Sequence, residues 1–363
     1  MAANAPELKN IPVVRILVLR FSAMGDVALL VPVIRSLVHS QANVEVTVVT
    51  RPRFAPFFYD IERVSVFPAD VDNTYNGIFG MRELFRDLIR KASYDIVIDV
   101  HDHLRTKILR TFFKLFFTDV VVFRKGRKEK KAFTRKDNKT VTPLPHTVER
   151  YREAFSRAGF SFPLLPSPHF QINQRLEQVA AEWIETNVPP RNELWIGLAP
   201  FAMHATKMWP LENYPFLIER ILEKTPAKFF LFGGGAKEIK FFESLKKRFP
   251  GACAITAGQL KIRQEIALMK HLDLMVCVDS SNMHLAALAG TPVFSLWGGT
   301  HPDVGFAPFG NDNTILQVSR EELPCRPCSV FGRETCYVGG FPCLTRLTPE
   351  LVAGKVLAKL KRG

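Results

Sequence analysis

Residues 274–300 read LMVCVDSSNMHLAALAGTPVFSLWGGT, and the fold turns on how this stretch is parsed. Leu274–Val278 is a short apolar run with the length and composition of a buried parallel strand. Asp279-Ser280-Ser281-Asn282 follows at once, a set of residues that cap helix N-termini. Met283 to Ala289 then reads as a short helix, stopped by Gly290 with Pro292 just beyond. Val293–Trp297 is a second buried strand, ending in Gly298-Gly299-Thr300. At the carboxyl edge of such a sheet, backbone N–H groups are free and the helix dipole favours an anion. Ligands of open α/β sheets bind along that edge. Capping alone explains Asp279 and Ser280; it does not explain a second glycine-rich, strand-ending turn beside the first.

Working outward, the same alternation continues through the second half. Leu194–Ala199 is a strand, followed by Pro200 to Pro210, a loop holding Thr206 and Lys207. Phe229–Phe232 is a strand ending in Gly233-Gly234-Gly235, and Ala254–Thr256 is another, ending in Ala257-Gly258. Four strand ends thus carry small-residue turns, all expected on one edge of a parallel sheet. The first half has the same style. Ile16–Leu19 is a strand, Phe21-Ser22-Ala23-Met24-Gly25-Asp26 a turn, and Val27 to Val38 a helical pattern. Asp26 stands where that helix begins, the place of an N-cap or of a catalytic carboxylate. Neither G-x-G-x-x-G nor G-x-x-x-x-G-K-[ST] occurs in this turn, so it carries no dinucleotide or P-loop fingerprint. Further strands are Val44–Val49, Val64–Phe67 and Asp95–Val100, the last ending in His101-Asp102-His103, a polar loop or one arm of a metal site.

Phe162 to Pro168 has three prolines in six positions, which neither a helix nor a central strand tolerates. It sets a boundary between domains 1–165 and 166–345, with a terminal helix in 346–363. The fold class is α/β, two Rossmann-like domains with a cleft between facing strand ends.

The chain has 363 residues, 47% hydrophobic and 23% charged, an ordinary globular balance. No apolar run reaches the roughly 18 residues of a membrane span. No secretory signal is evident at the N-terminus, so the expected compartment is the cytoplasm. Lys+Arg 49 against Asp+Glu 35 gives a net charge of +14, which suits an anionic partner. Arg124 to Lys139 holds nine Lys/Arg against two acids and reads as a solvated loop. Just before it, Thr111 to Phe117 is dense in aromatics: a buried helix face, or an edge touching an anionic bilayer. No helix-turn-helix or RNP signature supports nucleic-acid binding. Cys325, Cys328, Cys336 and Cys343 are spaced C-x2-C-x7-C-x6-C, and in a cytosolic chain such a cluster favours a structural zinc.

Four motifs, in order, carry a family resemblance over nearly the whole chain. Phe21–Asp26 with Pro32 after it resembles the N-terminal signature of glycosyltransferase family 9, the lipopolysaccharide heptosyltransferases. Thr206-Lys207-Met208-Trp209-Pro210 resembles its Lys-x-Trp-Pro segment, and Asp279 to Ala286 its Asp-Thr-Gly-x-x-His-Leu motif. Trp297-Gly298-Gly299-Thr300 resembles its Gly-Pro-Thr turn. Ala23, Ser281 and Gly299 depart from the family's serine, glycine and proline. The resemblance implies a GT-B fold with an N-terminal acceptor domain, a C-terminal donor domain and a last helix, 346–363, crossing back to the N-terminal domain. It implies an inverting transfer from a nucleotide-diphospho-sugar such as ADP-heptose, and an anionic, lipid-linked glycan acceptor at the inner membrane. It implies no cofactor for catalysis. Asp26 becomes the expected base, its pKa raised by partial burial, and Lys207 the group receiving the leaving phosphates. Ser22, Gly25, Thr206, Gly234, Asp279, Ser280, Ser281, Asn282, His284, Gly299 and Thr300 are the expected ligand contacts. A nucleotide-sugar epimerase of the same fold and a non-catalytic polyanion- or membrane-binding protein are the alternatives.

Overall fold

The computed structural model describes residues 12–140, 142–188, 192–310 and 313–361. In the first half, strands β1 (Val14–Leu19), β2 (Val44–Thr50), β3 (Val64–Pro68), β4 (Ile96–Asp99) and β5 (Asp119–Val122) pair in parallel in the order β3-β2-β1-β4-β5. In the second, β6 (Leu194–Ala199), β7 (Ala227–Leu231), β8 (Cys253–Ile255), β9 (Leu274–Val278), β10 (Val293–Trp297) and β11 (Thr314–Gln317) pair in parallel in the order β11-β10-β9-β6-β7-β8. Strands β7, β9 and β10 are buried along their whole length, which is why they read as unbroken apolar runs rather than alternations. Two of the four edge strands, β5 and β11, escape the sequence reading. Each is four residues long and only partly buried, so neither a long apolar run nor a clean alternation marks it.

Each sheet has one place where strand order reverses direction. In the first it lies between β1 and β4, in the second between β6 and β9. At such a point the loops leaving two adjacent strands diverge to opposite sides and open a crevice. The loops that matter are therefore those after β1, β4, β6 and β9.

The helical pattern 27–38 is broken in two, Met24–Ala28 and Val31–Ser40. Pro32 sits in the first turn of the second helix, where its missing N–H would otherwise have bonded back into the first. Asp26 is consequently inside a helix, at its third position rather than at the N-cap, and its carboxylate reaches back to the N-cap N–H of Ala23.

The chain divides into one unit running to Lys125 plus Val148–Leu165, and a second made of Gly126–Thr147 plus Pro166–Gly363. The proline-rich crossing falls at Leu165–Pro166, but Gly126–Thr147 departs from the sequence boundary by joining the second unit. The basic run is solvated over most of its cations, Arg124, Arg127, Lys128, Lys131, Arg135 and Lys136 being exposed, but part of it is helical and packed. Its helix Arg127–Phe133 buries Phe133 against the His301 ring, 5.6 Å between centroids. Lys130 is buried too, its ammonium over Phe306 at 4.5 Å and Phe331 at 5.7 Å. Lys139 Nζ donates to the carbonyls of Pro324 and Cys325, and Leu144 N–H to Asp303 O. Lys130 and Lys139 thus serve packing instead of presenting a polycationic surface.

The terminal helix Pro349–Leu360 belongs to the second unit as well. Val352, Ala353 and Val356 enter that unit's core beside Trp209, Tyr214 and Leu217. The first unit's core lies around Leu17, Leu19, Met81, Leu84, Phe85 and Phe113.

Candidate active site

In the first unit, the crevice opens after β1 and β4. Arg20 ends β1, and its Nη2 lies 2.7 Å from Asp26 Oδ2. Its Nη1 donates to Val100 O at 2.7 Å, and its guanidinium lies over the Tyr151 ring. Burial works against the charge of Arg20, but Asp26 and Tyr151 hold its pKa above the ordinary value. The Tyr151 hydroxyl, raised by burial, donates to Asp26 O. The Ala23 N–H donates to Asp26 Oδ2 at 3.4 Å. Asp26 is thus fixed by three groups while one-fifth of its side chain stays open to solvent. Ser22 is half-buried in the same turn, and Gly25 is buried within the helix.

After β4, Asp99 accepts the N–H groups of His101 and Asp102 and the guanidinium of Arg110. This holds Asp102 in the left-handed region at φ +46°. His101 is buried with its Nδ1 lacking a hydrogen-bond partner among the described residues. Burial, then the charges of Arg20, His103, Lys125 and Arg51, pushes its pKa down to about 2. So many cations at one sheet edge suit an anionic ligand. Arg110 occupies both Asp99 and Asp102, and no group of three or more potential metal ligands exists among the described residues.

In the second unit, the crevice after β6 and β9 brings together residues far apart in the chain. Lys207 Nζ lies 3.0 Å from Asp279 Oδ2, both largely buried. The Thr300 hydroxyl, from the turn after β10, donates to the same oxygen at 2.7 Å. Ser280 stands at the N-cap position of the helix Ser281–Ala289 without making a capping bond, and its buried Oγ has no partner among the described residues. The first N–H groups of that helix, at Ser281 and Asn282, have no intrahelical acceptor and carry the positive end of its dipole. His284 is buried one turn in. Gly234 lies after β7, away from the reversal, and its N–H is taken by Glu238 Oε2 at 2.8 Å.

Two loops touch here through backbone. Gly299 N–H donates to Thr206 O at 2.8 Å, a bond that a proline at 299 could not make. A Cβ on Gly298 would fall 2.3 Å from Thr206 O, so this contact requires glycine. Thr206 in turn exchanges bonds with Arg333: its N–H and hydroxyl donate to Arg333 O, and its oxygen accepts the Arg333 N–H. Arg326 is the residue that no motif announces. Fully buried, it donates to Gly298 O at 2.6 Å, Thr300 O at 3.1 Å, Gln317 Oε1 at 2.9 Å and Val318 O. Cys328 and Ser329 N–H groups both bond Gly299 O.

The four-cysteine segment is therefore a brace for the Gly298–Thr300 turn. The expected zinc is not supported: these thiols do not form a group with metal-holding geometry. Cys328 Sγ instead faces Gly299 O at 3.5 Å.

Arg20, Tyr151 and Arg326 were not legible as site residues; only its place after β1 hinted at Arg20, and Arg326 hides inside the cysteine spacing. His101 reads in the sequence as part of a polar loop or one arm of a metal site.

The family described as Glycosyltransferase family 9 (heptosyltransferase) matches residues 81–331. Lipopolysaccharide core heptosyltransferase OpsX of Haemophilus influenzae is 22% identical over 305 residues, 84% of either chain. A glycosyl transferase family 9 crystal structure from Veillonella parvula superposes with a TM-score of 0.74 at 19% identity, covering 98% of this chain and 100% of that one. The E. coli heptosyltransferase WaaC with ADP-2-deoxy-2-fluoro heptose gives 0.66 at 19% identity, covering 95% and 99%.

Proposed function

The chain belongs to glycosyltransferase family 9, and from that premise we propose that it moves a heptose or related sugar from an ADP-linked donor to a hydroxyl of an anionic lipopolysaccharide-core glycolipid. It is a glycosyltransferase of GT-B fold, with two parallel-sheet α/β units. Family membership favours transfer over both epimerisation and a purely polyanion-binding role. Among the described residues no helix is long and apolar enough to cross a membrane. The proposal has the lipid-linked acceptor met at the cytoplasmic surface of the inner membrane.

The observation that carries the reading is the cluster after β6, β9 and β10. Lys207, the free N–H groups of Ser281 and Asn282, and the Ser280 hydroxyl converge where a diphosphate needs donors. Asp279 holds Lys207 in place and offers its carboxylate to a sugar hydroxyl. In the reaction the bond from the anomeric carbon to the diphosphate oxygen breaks, and one to the acceptor oxygen forms on the opposite face. The acceptor proton passes to the Asp26 carboxylate. The electron pair of the broken bond leaves with the diphosphate, whose charge Lys207 and the helix N-terminus stabilise. No metal enters this scheme. Arg20, Arg51 and Lys125, whose charges act on His101, support an acceptor bearing carboxylate or phosphate groups.

The test is to incubate purified protein with ADP-heptose and a defined core-glycolipid acceptor, reading ADP release and acceptor mass. One added heptose per acceptor, with inverted anomeric configuration, is expected. ADP release without acceptor glycosylation, or preference for a uridine-linked donor, would overturn the reading.

A further inference from the structure

The helix Leu104–Leu115 of the first unit reads LRTKILRTFFKL, with four cations and no acid. Its inner side packs on the helix Gly77–Lys91, where the Phe85 ring meets Phe113 edge-on at 4.9 Å. Arg105 pairs with Asp72 and Arg110 with Asp99. Lys107 and Lys114, seven residues apart, lie on one exposed stripe facing water.

The helix ends in an unusual way. Thr118 N–H bonds Phe113 O and Phe117 N–H bonds Lys114 O, the paired closing bonds of a left-handed helix ending. The residue in the left-handed position is Phe117, at φ +59°. Glycine normally stands there, because a Cβ crowds the neighbouring carbonyl. Phe117 is 98% exposed, and Phe116 and Leu115 beside it are 64% and 68% exposed. Packing does not offset the backbone cost of Phe117, and water does not favour three large apolar groups in a row. Phe116 keeps one packing partner, the Phe85 ring at 5.0 Å between centroids, whereas nothing in the fold calls for phenylalanine over glycine at 117.

We propose that Leu115, Phe116 and Phe117 are an interfacial anchor that enters an anionic bilayer, with Lys107 and Lys114 meeting its headgroups. Aromatic and leucine side chains beside lysines on a helix end suit the headgroup–acyl boundary of such a surface. With Arg105 and Arg110 held by carboxylates, the exposed Lys107 and Lys114 are what commits the patch to an anionic lipid surface. The inference rests on the proposed function only in that a lipid-linked acceptor gives the anchor its use. The basic run 124–139 is not this anchor, since Gly126–Thr147 packs with the second unit.

The test uses the full chain and vesicles of phosphatidylethanolamine with phosphatidylglycerol, phosphatidylcholine vesicles serving as the neutral control. Wild-type protein should co-sediment with the anionic vesicles and far less with the neutral ones. Phe117→Gly should cut the bound fraction several-fold while melting at the same or a higher temperature, since glycine suits φ +59°. Lys107→Glu with Lys114→Glu should abolish the preference for anionic vesicles. With a water-soluble acceptor fragment, turnover by Phe117→Gly should equal wild type; with vesicle-embedded acceptor its KM should rise at constant kcat. Vesicle binding by Phe117→Gly equal to wild type overturns the anchor. So does self-association of wild type without lipid that Phe117→Gly abolishes, which would assign the patch to a second copy. Anionic-vesicle binding that depends on Phe117, in a protein with no transferase activity, supports the anchor and overturns the proposed function instead.

Discussion

Lys207 and Asp279 form an ion pair, Nζ to Oδ2 3.0 Å, across the point where the second sheet reverses its strand order. The pair is largely buried, so each charge depends on the other, and the Thr300 hydroxyl adds a hydrogen bond to the carboxylate.

Lys207→Ala removes the ammonium and leaves Asp279 buried with only Thr300. Nucleoside-diphosphate affinity should fall about 10- to 100-fold, the worth of one charge-assisted contact. Nucleoside-monophosphate affinity should fall less. Calorimetric titration of both nucleotides checks this, and equal losses would show that Lys207 does not meet the terminal phosphate.

Asp26→Asn should lower turnover by about a hundredfold or more, as expected on losing a general base. The structure adds a stability cost. Arg20 is buried and keeps only Val100 O as a strong acceptor, so the variant should lose about 2 kcal/mol, less than for a fully buried pair because Asp26 is partly open. Denaturant unfolding and steady-state rates measure the two effects separately. Turnover within a few-fold of wild type would place the base elsewhere.

Arg326→Met fills much of the same volume but leaves Gly298 O, Thr300 O and Val318 O without their buried donor. A loss of at least about 3 kcal/mol is expected. Protein that still folds should show a raised KM for donor, because the Gly298–Thr300 turn is no longer held, while Arg326→Lys should recover part of that loss. Unchanged stability and an unchanged donor KM in Arg326→Met would sink the bracing role.

Glu265 supplies a pH signature independent of catalysis. Burial pushes its carboxyl up to about 7 from an ordinary value near 4.5. Between those values the folded chain holds a proton that the unfolded chain has released, so stability falls as pH rises through the window. Above pH 7 both states are ionised and the full penalty remains. Glu265→Gln should therefore stabilise the protein at pH 8, by up to about 3 kcal/mol, and hardly at pH 4.5. Melting curves at the two pH values suffice; a pH-independent difference would contradict the burial effect.

Some of this was written in local sequence. The strands β6, β9 and β10 were legible to the residue, because a strand buried on both faces must be apolar throughout. The turns at 22–26, 206–207, 279–282 and 298–300 were legible because glycine and small polar residues at strand ends mark backbone that must approach something closely. The four cysteines misled, since spacing says nothing about where thiols point. Their segment instead braces a turn, through Arg326 and two backbone N–H groups.

By itself, then, the sequence determined two parallel α/β halves and the strand ends that carry polar turns, because burial and turn geometry are fixed by near neighbours. Only the tertiary structure decided which strand ends share a crevice. Strand order depends on which apolar faces find each other, a long-range choice that no window of sequence contains. That choice set β9 beside β6 and so put Lys207 against Asp279. It likewise set β4 beside β1, leaving His101 next to the Arg20–Asp26 pair, and it drew the basic run 126–147 onto the second unit.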